Sequence, residues 1–173
     1  NLKTALIGDS NGIAFDSAYA KKYPNSKGLS RGAWRAQDWL KALQMWEEAK
    51  SKGKSWKEYP KKARKTYDIE YSVGKLLKYD PEVISVSLLG GNDSYKKVIG
   101  TGESDDSKLE SHIENHVKPL MRLIKKYGGT YGGAAAAPVR LNLRTNLNNA
   151  LEKAAKEVGI PFYNPTKNAA YDL

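Results

Sequence analysis

Short apolar runs alternate with longer segments of helical spacing along this chain, and this alternation restricts the fold more than any other feature. The runs typical of strands cover residues 2–7, 27–29, 81–89, 130–137 and 160–163. Segments with helical spacing lie at 12–22, 33–50, 61–78, 108–127 and 141–158. Strands that alternate with helices favour parallel pairing through right-handed crossovers. The sequence therefore predicts an α/β fold, a three-layer α/β/α sandwich around a mostly parallel sheet of about five strands.

Two of these predicted elements carry irregular signals. Residues 130–137 consist mostly of glycine and alanine, which weaken a strand and fill a core poorly. One interpretation is a strand pressed against closely packed helices, and another is that part of this run is not the natural sequence. Pro119 interrupts the predicted helix 108–127, so we expect a kink or a break near His116.

The length of 173 residues suits a single domain that covers 1–173. Cysteine is absent, which excludes disulfides and thiolate metal sites and leaves the redox compartment open. The apolar runs are too short to span a membrane. We therefore expect a soluble domain whose compartment the sequence leaves open, an extracellular location or a place in a larger assembly included.

Basic residues outnumber acidic ones, with 29 Lys and Arg against 19 Asp and Glu and a formal net charge of +10. Such a field attracts anionic partners, for instance an anionic polymer or an acidic protein in an assembly. The densest basic segment, 50–65, also contains Trp56 and Tyr59, which could stack on nucleic acid bases. Because charged runs usually coat exposed faces and no nucleic-acid motif accompanies this one, a solvated surface is the favoured interpretation.

Polar motifs follow the first and third predicted strands. IGDSN places Ser10 after the first, and LLGGND places Asn92 after the third. Taken singly, Ser10 is typical of a helix cap and Asn92 and Asp93 are typical of a turn. The carboxyl ends of parallel strands share one edge of the sheet, where binding sites collect. Their joint occurrence at this edge therefore favours a functional site.

The motifs IGDSN, GLSRGAW and LLGGND, and then AAAAPVR followed by a helix and GIPFYN, resemble the SGNH hydrolases, also called the GDSL esterase family. The resemblance spans nearly the whole chain and implies the flavodoxin-like fold of that family. It implies that Ser10 is the nucleophile and that Ser10, Gly32 and Asn92 form the oxyanion hole. It implies an ester or acylated carbohydrate as substrate, with no metal and no organic cofactor.

These positions also make sense in chemical terms. Ester hydrolysis passes through a tetrahedral oxyanion, which fixed hydrogen-bond donors stabilise. Gly32 lets the backbone approach a substrate because it has no Cβ, and the Asn92 amide donates without carrying a charge. We expect Asp9 to brace the turn through backbone hydrogen bonds and assign it no chemical role.

A serine hydroxyl also needs a base, usually a histidine oriented by a carboxylate. In the family both follow the last strand, but no histidine follows Ile160 in this chain. Asp172 is a candidate for that carboxylate, with its histidine beyond Leu173. His112 and His116 have a four-residue spacing, but HIENH lacks the arrangement of zinc proteases and no third ligand is in view. We therefore interpret them as surface or helix-packing residues.

Two functions are compatible with these observations. If the Asp/His block lies beyond Leu173, the chain is a serine ester hydrolase that removes an acyl or acetyl group through an acyl-serine intermediate. If the base has been lost, the chain is a non-catalytic module that docks onto an anionic polymer or serves within a larger assembly. We expect the first.

Overall fold

The computed structural model of the protein describes residues 2–94 and 107–167, apart from the side chain of Val139. Its centre is a five-stranded sheet in the order β2-β1-β3-β4-β5, and each pair of neighbouring strands is parallel. The strands are β1 (Thr4–Ile7), β2 (Ser26–Gly28), β3 (Val83–Val86), β4 (Tyr131–Gly132) and β5 (Phe162–Tyr163). The predicted α/β fold with a five-stranded sheet is confirmed.

Helices fill the connections between the strands. They are α1 (Ser10–Lys22), α2 (Ala36–Lys52), α3 (Lys61–Thr66), α4 (Ser72–Tyr79), α5 (Ser107–His112), α6 (Lys118–Lys126) and α7 (Leu141–Val158). A π-helical turn, Ile113–Val117, joins α5 to α6, and short 3-10 turns cover Trp56–Glu58 and Pro138–Arg140.

The strand order places the helices in two layers. The chain moves from β1 to β2 in one direction and from β2 through β3 to β5 in the other, so right-handed crossovers put α1 on one face and the later helices on the opposite face. The contacts agree, because α1 packs on β2, whereas α2 packs against α4 and α6, and α6 packs against α7. The expected three-layer sandwich is therefore present.

The main core lies between the sheet and the layer that contains α2. Trp39, Leu43 and Trp46 of α2 are completely buried, as are Ile7 of β1 and Ile84 of β3. Removal of this much apolar surface from water is the main force that holds α2 to the sheet.

Two predicted helices are interrupted, one at a residue with a left-handed φ and one beside a proline. The segment 61–78 forms two helices because Asp68 adopts a left-handed φ of 43° between them. The segment 108–127 widens into the π-helical turn directly before α6, where Pro119 stands in the first turn. A proline lacks the N–H that an uninterrupted helix requires, so the expected interruption near His116 is confirmed.

The Gly/Ala-rich segment forms only the two-residue strand β4, and close contacts explain its composition. A Cβ added to Gly132 would lie 1.8 Å from the carbonyl oxygen of Ser87, and one added to Gly133 would lie 2.4 Å from Oδ1 of Asn148. Ala134 then leaves the sheet and pairs its N–H and carbonyl with the Asn148 side chain. These contacts agree with the interpretation of a strand pressed against closely packed neighbours.

Across the described ranges, no helix combines the length and apolar character that crossing a membrane requires.

Candidate functional site

The turn after β1 is organised by the buried carboxylate of Asp9. Asp9 caps α1 because its Oδ1 accepts a hydrogen bond from the N–H of Asn11 at 2.9 Å. Its Oδ2 accepts from the N–H groups of Gly90 at 3.2 Å and Gly91 at 3.1 Å. The expectation that Asp9 braces the turn is confirmed, and the same side chain also ties the loop after β3 to this turn.

Ser10 is the first residue of α1, and its side chain is exposed. The first N–H groups of a helix have no carbonyl partner within the helix, and they lie at its positive end. The Ser10 hydroxyl and N–H therefore occupy a position that suits an anionic group.

Gly32 lies beside Ser10 in the loop after β2. A Cβ built on Gly32 would lie 4.0 Å from the Cβ of Ser10 and otherwise faces open space. The loop is fixed to the β1 turn because the N–H of Arg31 donates to the carbonyl of Gly8 at 3.0 Å. Ala33, the next residue, has a left-handed φ of 66°, a strained conformation for a residue with a Cβ.

Asn92 belongs to the loop after β3 and reaches the Gly32 loop directly. Its Nδ2 donates to the carbonyl of Trp34 at 3.0 Å, which leaves the second hydrogen of that amide for another acceptor. Gly90 makes the loop possible with a φ of 140°, as the two glycines in the motif predict.

The three loops thus meet at the carboxyl ends of β1, β2 and β3. The chain reverses direction in the sheet between β1 and β3, the position at which open α/β sheets bind ligands. Asp9 joins the first loop to the third, and Asn92 joins the third to the second. The predicted site residues Ser10, Gly32 and Asn92 therefore lie on loops in mutual contact.

A buried ionic cluster below Asn92 was missed by the sequence reasoning. Asp93 accepts hydrogen bonds from Nε of Arg35 at 3.0 Å and from the N–H of Ala36 at 3.2 Å. Nε2 of His112 lies 3.5 Å from the same carboxylate. Burial lowers the pKa of His112, although the Asp93 charge opposes this effect. The acidic residue after Asn92 in the motif was the available signal, but its partners are remote in sequence.

Arg144 of α7 was also missed. Its Nη1 donates to the carbonyl of Ala135 at 2.7 Å, and its Nη2 lies 3.2 Å from where a Cβ on Gly91 would be. A buried arginine of α7 thus reaches the loop after β3. No motif in the sequence distinguishes this arginine from the other basic residues.

A second buried carboxylate, Asp16, lies on the inner side of α1. One of its oxygens accepts from the N–H of Ser30 at 3.1 Å, and the hydroxyls of Ser30 and Ser87 lie 3.4 Å apart beside it. Burial raises the pKa of both Asp16 and Asp9, and hydrogen bonds to each carboxylate oppose the rise.

The contacts of the two histidines lead to Asp93 and to each other. His112 is buried against Asp93, and neither ring nitrogen makes a hydrogen bond within the described residues. The interpretation of His112 as a packing residue is confirmed, and the ring of His116 lies 5.6 Å from it. Within residues 2–94 and 107–167, no cluster of three His, Cys, Asp or Glu residues could hold a metal ion. Asp172 lies outside the described residues.

The basic segment 50–65 keeps its aromatic rings occupied. Tyr59 is buried and donates its hydroxyl to the carbonyl of Met45 at 2.8 Å, while the Lys54 ammonium lies over its ring. Trp56 packs against Gly74. These rings support the fold, which agrees with a solvated surface rather than a stacking platform.

Comparison with known proteins finds similarity at the level of structure. No protein-family model matches the sequence, and no curated protein sequence matches it significantly. Similar solved structures include a "putative acylhydrolase" from Bacteroides fragilis, 14% identical with a TM-score of 0.43, and a GDSL-like lipase from Bacteroides thetaiotaomicron, 16% identical with a TM-score of 0.44. Each comparison covers 92% of this chain, which spans only 65% and 66% of the two neighbours. The likeness is one of fold.

Proposed function

We propose that this chain is the core of an SGNH-type serine ester hydrolase that removes an acyl or acetyl group from a carbohydrate or a small ester. The observation that carries the proposal is the meeting of three loops at the sheet reversal, with Ser10, Gly32 and Asn92 on them. A hydroxyl, a backbone N–H and a carboxamide at one edge are the groups that acyl transfer needs.

The proposed reaction has two steps. In the first, the Ser10 Oγ attacks the ester carbonyl carbon while a base takes its proton, and the alcohol leaves with a proton as the acyl-serine forms. In the second, water attacks the acyl-serine, the acid is released and Ser10 regains its proton. His112 contacts Asp93 and the ring of His116, and we assign the role of the base to a residue outside the described ones.

We assign the oxyanion to the space between three donors. The Ser10 N–H at the first turn of α1, the Gly32 N–H and the second amide hydrogen of Asn92 are the proposed donors. The open space in front of Gly32 leaves room for the substrate oxygen. The positive end of α1 adds to the same stabilisation.

The test compares the full-length protein that contains this chain with a Ser10→Ala variant. We expect the wild type to hydrolyse p-nitrophenyl acetate or butyrate and the variant to lose the rate except for a small residual acceleration. Equal rates for the two proteins would end the proposal.

A second candidate is a non-catalytic module that binds an anionic polymer. It is favoured by the contact of His112 with Asp93, which ties this histidine to a buried carboxylate, and by the net charge of +10. Binding to a polyanion such as heparin should then weaken steeply with added salt. Salt-insensitive binding, or Ser10-dependent ester turnover, would count against this function.

A further inference from the structure

The loop that carries Gly32 is also held by side-chain contacts of Arg31, a residue outside the three proposed site residues. The Arg31 guanidinium forms an ion pair with the carboxylate of Asp68, which lies in the turn between α3 and α4. The same guanidinium lies 4.1 Å from the ring centroid of Tyr71 and 5.6 Å from that of Trp34. One side chain therefore connects the Gly32 loop to the segment 68–71.

Both ends of this connection are at strained backbone positions. Ala33 has a φ of 66° two residues after Arg31, and Asp68 itself has a φ of 43°. Left-handed conformations of residues with a Cβ cost about 1–2 kcal/mol each, so contacts around them must hold them in place. Hydrogen bonds with Gly8, Asn92 and Asp16 also join this loop to other parts of the chain, and the Arg31 contacts join it to the segment 68–71.

We propose that Arg31 and Asp68 are positioning residues whose ion pair, supported by Tyr71, holds the Gly32 backbone in place beside Ser10. This inference rests on the proposed hydrolase function. Neither side chain touches the reacting atoms in this role. They act through the Gly32 backbone, where a small rotation would turn the donor away from the developing oxyanion.

The free-energy contribution of the Arg31–Asp68 ion pair determines which measurements will detect its loss. Both side chains are partly exposed, at 26% for Arg31 and 43% for Asp68, so the pair adds little to global stability and is screened by salt. Its effect should appear in the orientation of one loop and therefore in kcat. Substrate affinity and the melting temperature should change little.

The experiment measures ester turnover and hydrogen–deuterium exchange in full-length wild type, Asp68→Asn, Arg31→Gln and the double variant. We expect each single variant to lower kcat by about tenfold with KM little changed, the double variant to cost no more than either single one, and exchange of residues 29–34 to accelerate. Added NaCl should lower the wild-type kcat towards that of Asp68→Asn and leave the variant unaffected. Asp80→Asn breaks the exposed Lys50–Asp80 pair, far from this loop in sequence, and serves as the matched control.

Failure of this inference and failure of the proposed function give different results. If Ser10→Ala turns over ester as fast as wild type, the hydrolase function falls, and the exchange data alone decide whether the pair holds the loop. If wild-type turnover depends on Ser10 but Asp68→Asn keeps its kcat, the positioning role is overturned. Unchanged exchange of residues 29–34 in Asp68→Asn overturns it in either case.

Discussion

At the residue scale, Asp9 shows how one buried carboxylate can tie two segments of the chain together. Its two oxygens accept hydrogen bonds from three backbone N–H groups, those of Asn11, Gly90 and Gly91. These bonds give the buried carboxylate the partners that it would otherwise lack. Asp9 was predicted as a brace for its own turn. The reach to Gly90 and Gly91 depends on the β1–β3 pairing, which brings residues about eighty positions apart together.

Replacement of Asn92 tests the proposed oxyanion hole. We expect Asn92→Ala to lower kcat by about 100-fold to 1,000-fold with a nearly unchanged KM, because the amide would stabilise the transition state more than the bound ester. The exposed Asn115, whose amide donates a hydrogen bond to the Ser111 hydroxyl, provides the control Asn115→Ala. A kcat of Asn92→Ala within a factor of three of wild type would remove Asn92 from the proposed hole.

Asp16 gives a prediction on stability at the same scale. Its Oδ1 is buried with no hydrogen-bond partner among the described residues, while the Ser30 and Ser87 hydroxyls lie nearby. Asp16→Asn removes the buried charge and supplies an amide donor, so we expect it to raise the free energy of unfolding at pH 7 by about 1 kcal/mol.

The stabilisation by Asp16→Asn should increase with pH. Burial raises the folded-state pKa of Asp16, so the wild-type carboxyl favours the folded state below its unfolded pKa and loses this contribution as the pH rises through the folded pKa. Urea unfolding should therefore show a larger benefit of Asp16→Asn at pH 7 than at pH 4. The exposed Glu70→Gln is the control, and a destabilised Asp16→Asn at pH 7 would contradict the explanation.

At the scale of elements, β4 is the strand whose amino-acid composition differs most from the β-branched composition typical of central strands. The rule that central parallel strands carry branched residues fails here because neighbouring backbone and Asn148 occupy the space where side chains would be. The short strand survives because the buried Tyr131 pairs with both neighbours, β3 and β5.

A single methyl group tests this account of β4. We expect Gly132→Ala to lower the free energy of unfolding by about 3 kcal/mol, because its Cβ would overlap the Ser87 carbonyl and force the strands apart. Gly53→Ala is the matched control, since Gly53 has open space around it and only the strain of a left-handed φ, about 1 kcal/mol. Denaturant unfolding measures both. Equal losses would show that the space beside Gly132 does not limit the strand.

At the scale of the whole molecule, several buried ionisable groups couple folding to pH in opposite directions. Burial lowers the pKa of His112, whereas burial raises the pKa of Asp9 and Asp16. As the pH falls, protonation of the unfolded His112 therefore removes stability, while the two aspartates add it.

The variant His112→Gln separates the effect of His112 on the pH dependence of stability from that of the two aspartates. The folded-state pKa of His112 lies below its unfolded value, so its contribution to stability is present above about pH 6.5 and is lost as the pH falls below that value. We expect the difference in unfolding free energy between wild type and His112→Gln to shift against the wild type between pH 7.5 and pH 5. Parallel stability curves would show that His112 is protonated equally in both states.

The sequence allowed much of the fold to be predicted because apolar periodicity and the glycine and proline residues that end strands and helices are local signals. The strands at β1 and β3, the helix at α7 and the π-helical interruption before α6 follow from apolar spacing, glycines and Pro119. The split between α3 and α4 was not visible, because it depends on a left-handed Asp68 that pairs with Arg31 across the fold. The motifs likewise indicated Ser10, Gly32 and Asn92 but not Asp93, Arg35, His112 or Arg144 around them.

The amino-acid order by itself determined the alternation of strands and helices, the edge of the sheet at which the polar motifs lie and the basic character of the surface, since each of these depends on neighbours in the chain. Only the tertiary structure decided which buried charges meet, that Asp9 links two loops and that His112 faces Asp93. Hydrogen bonds and ion pairs act over a few ångströms, and the residues that make them here are separated by tens of positions in the chain.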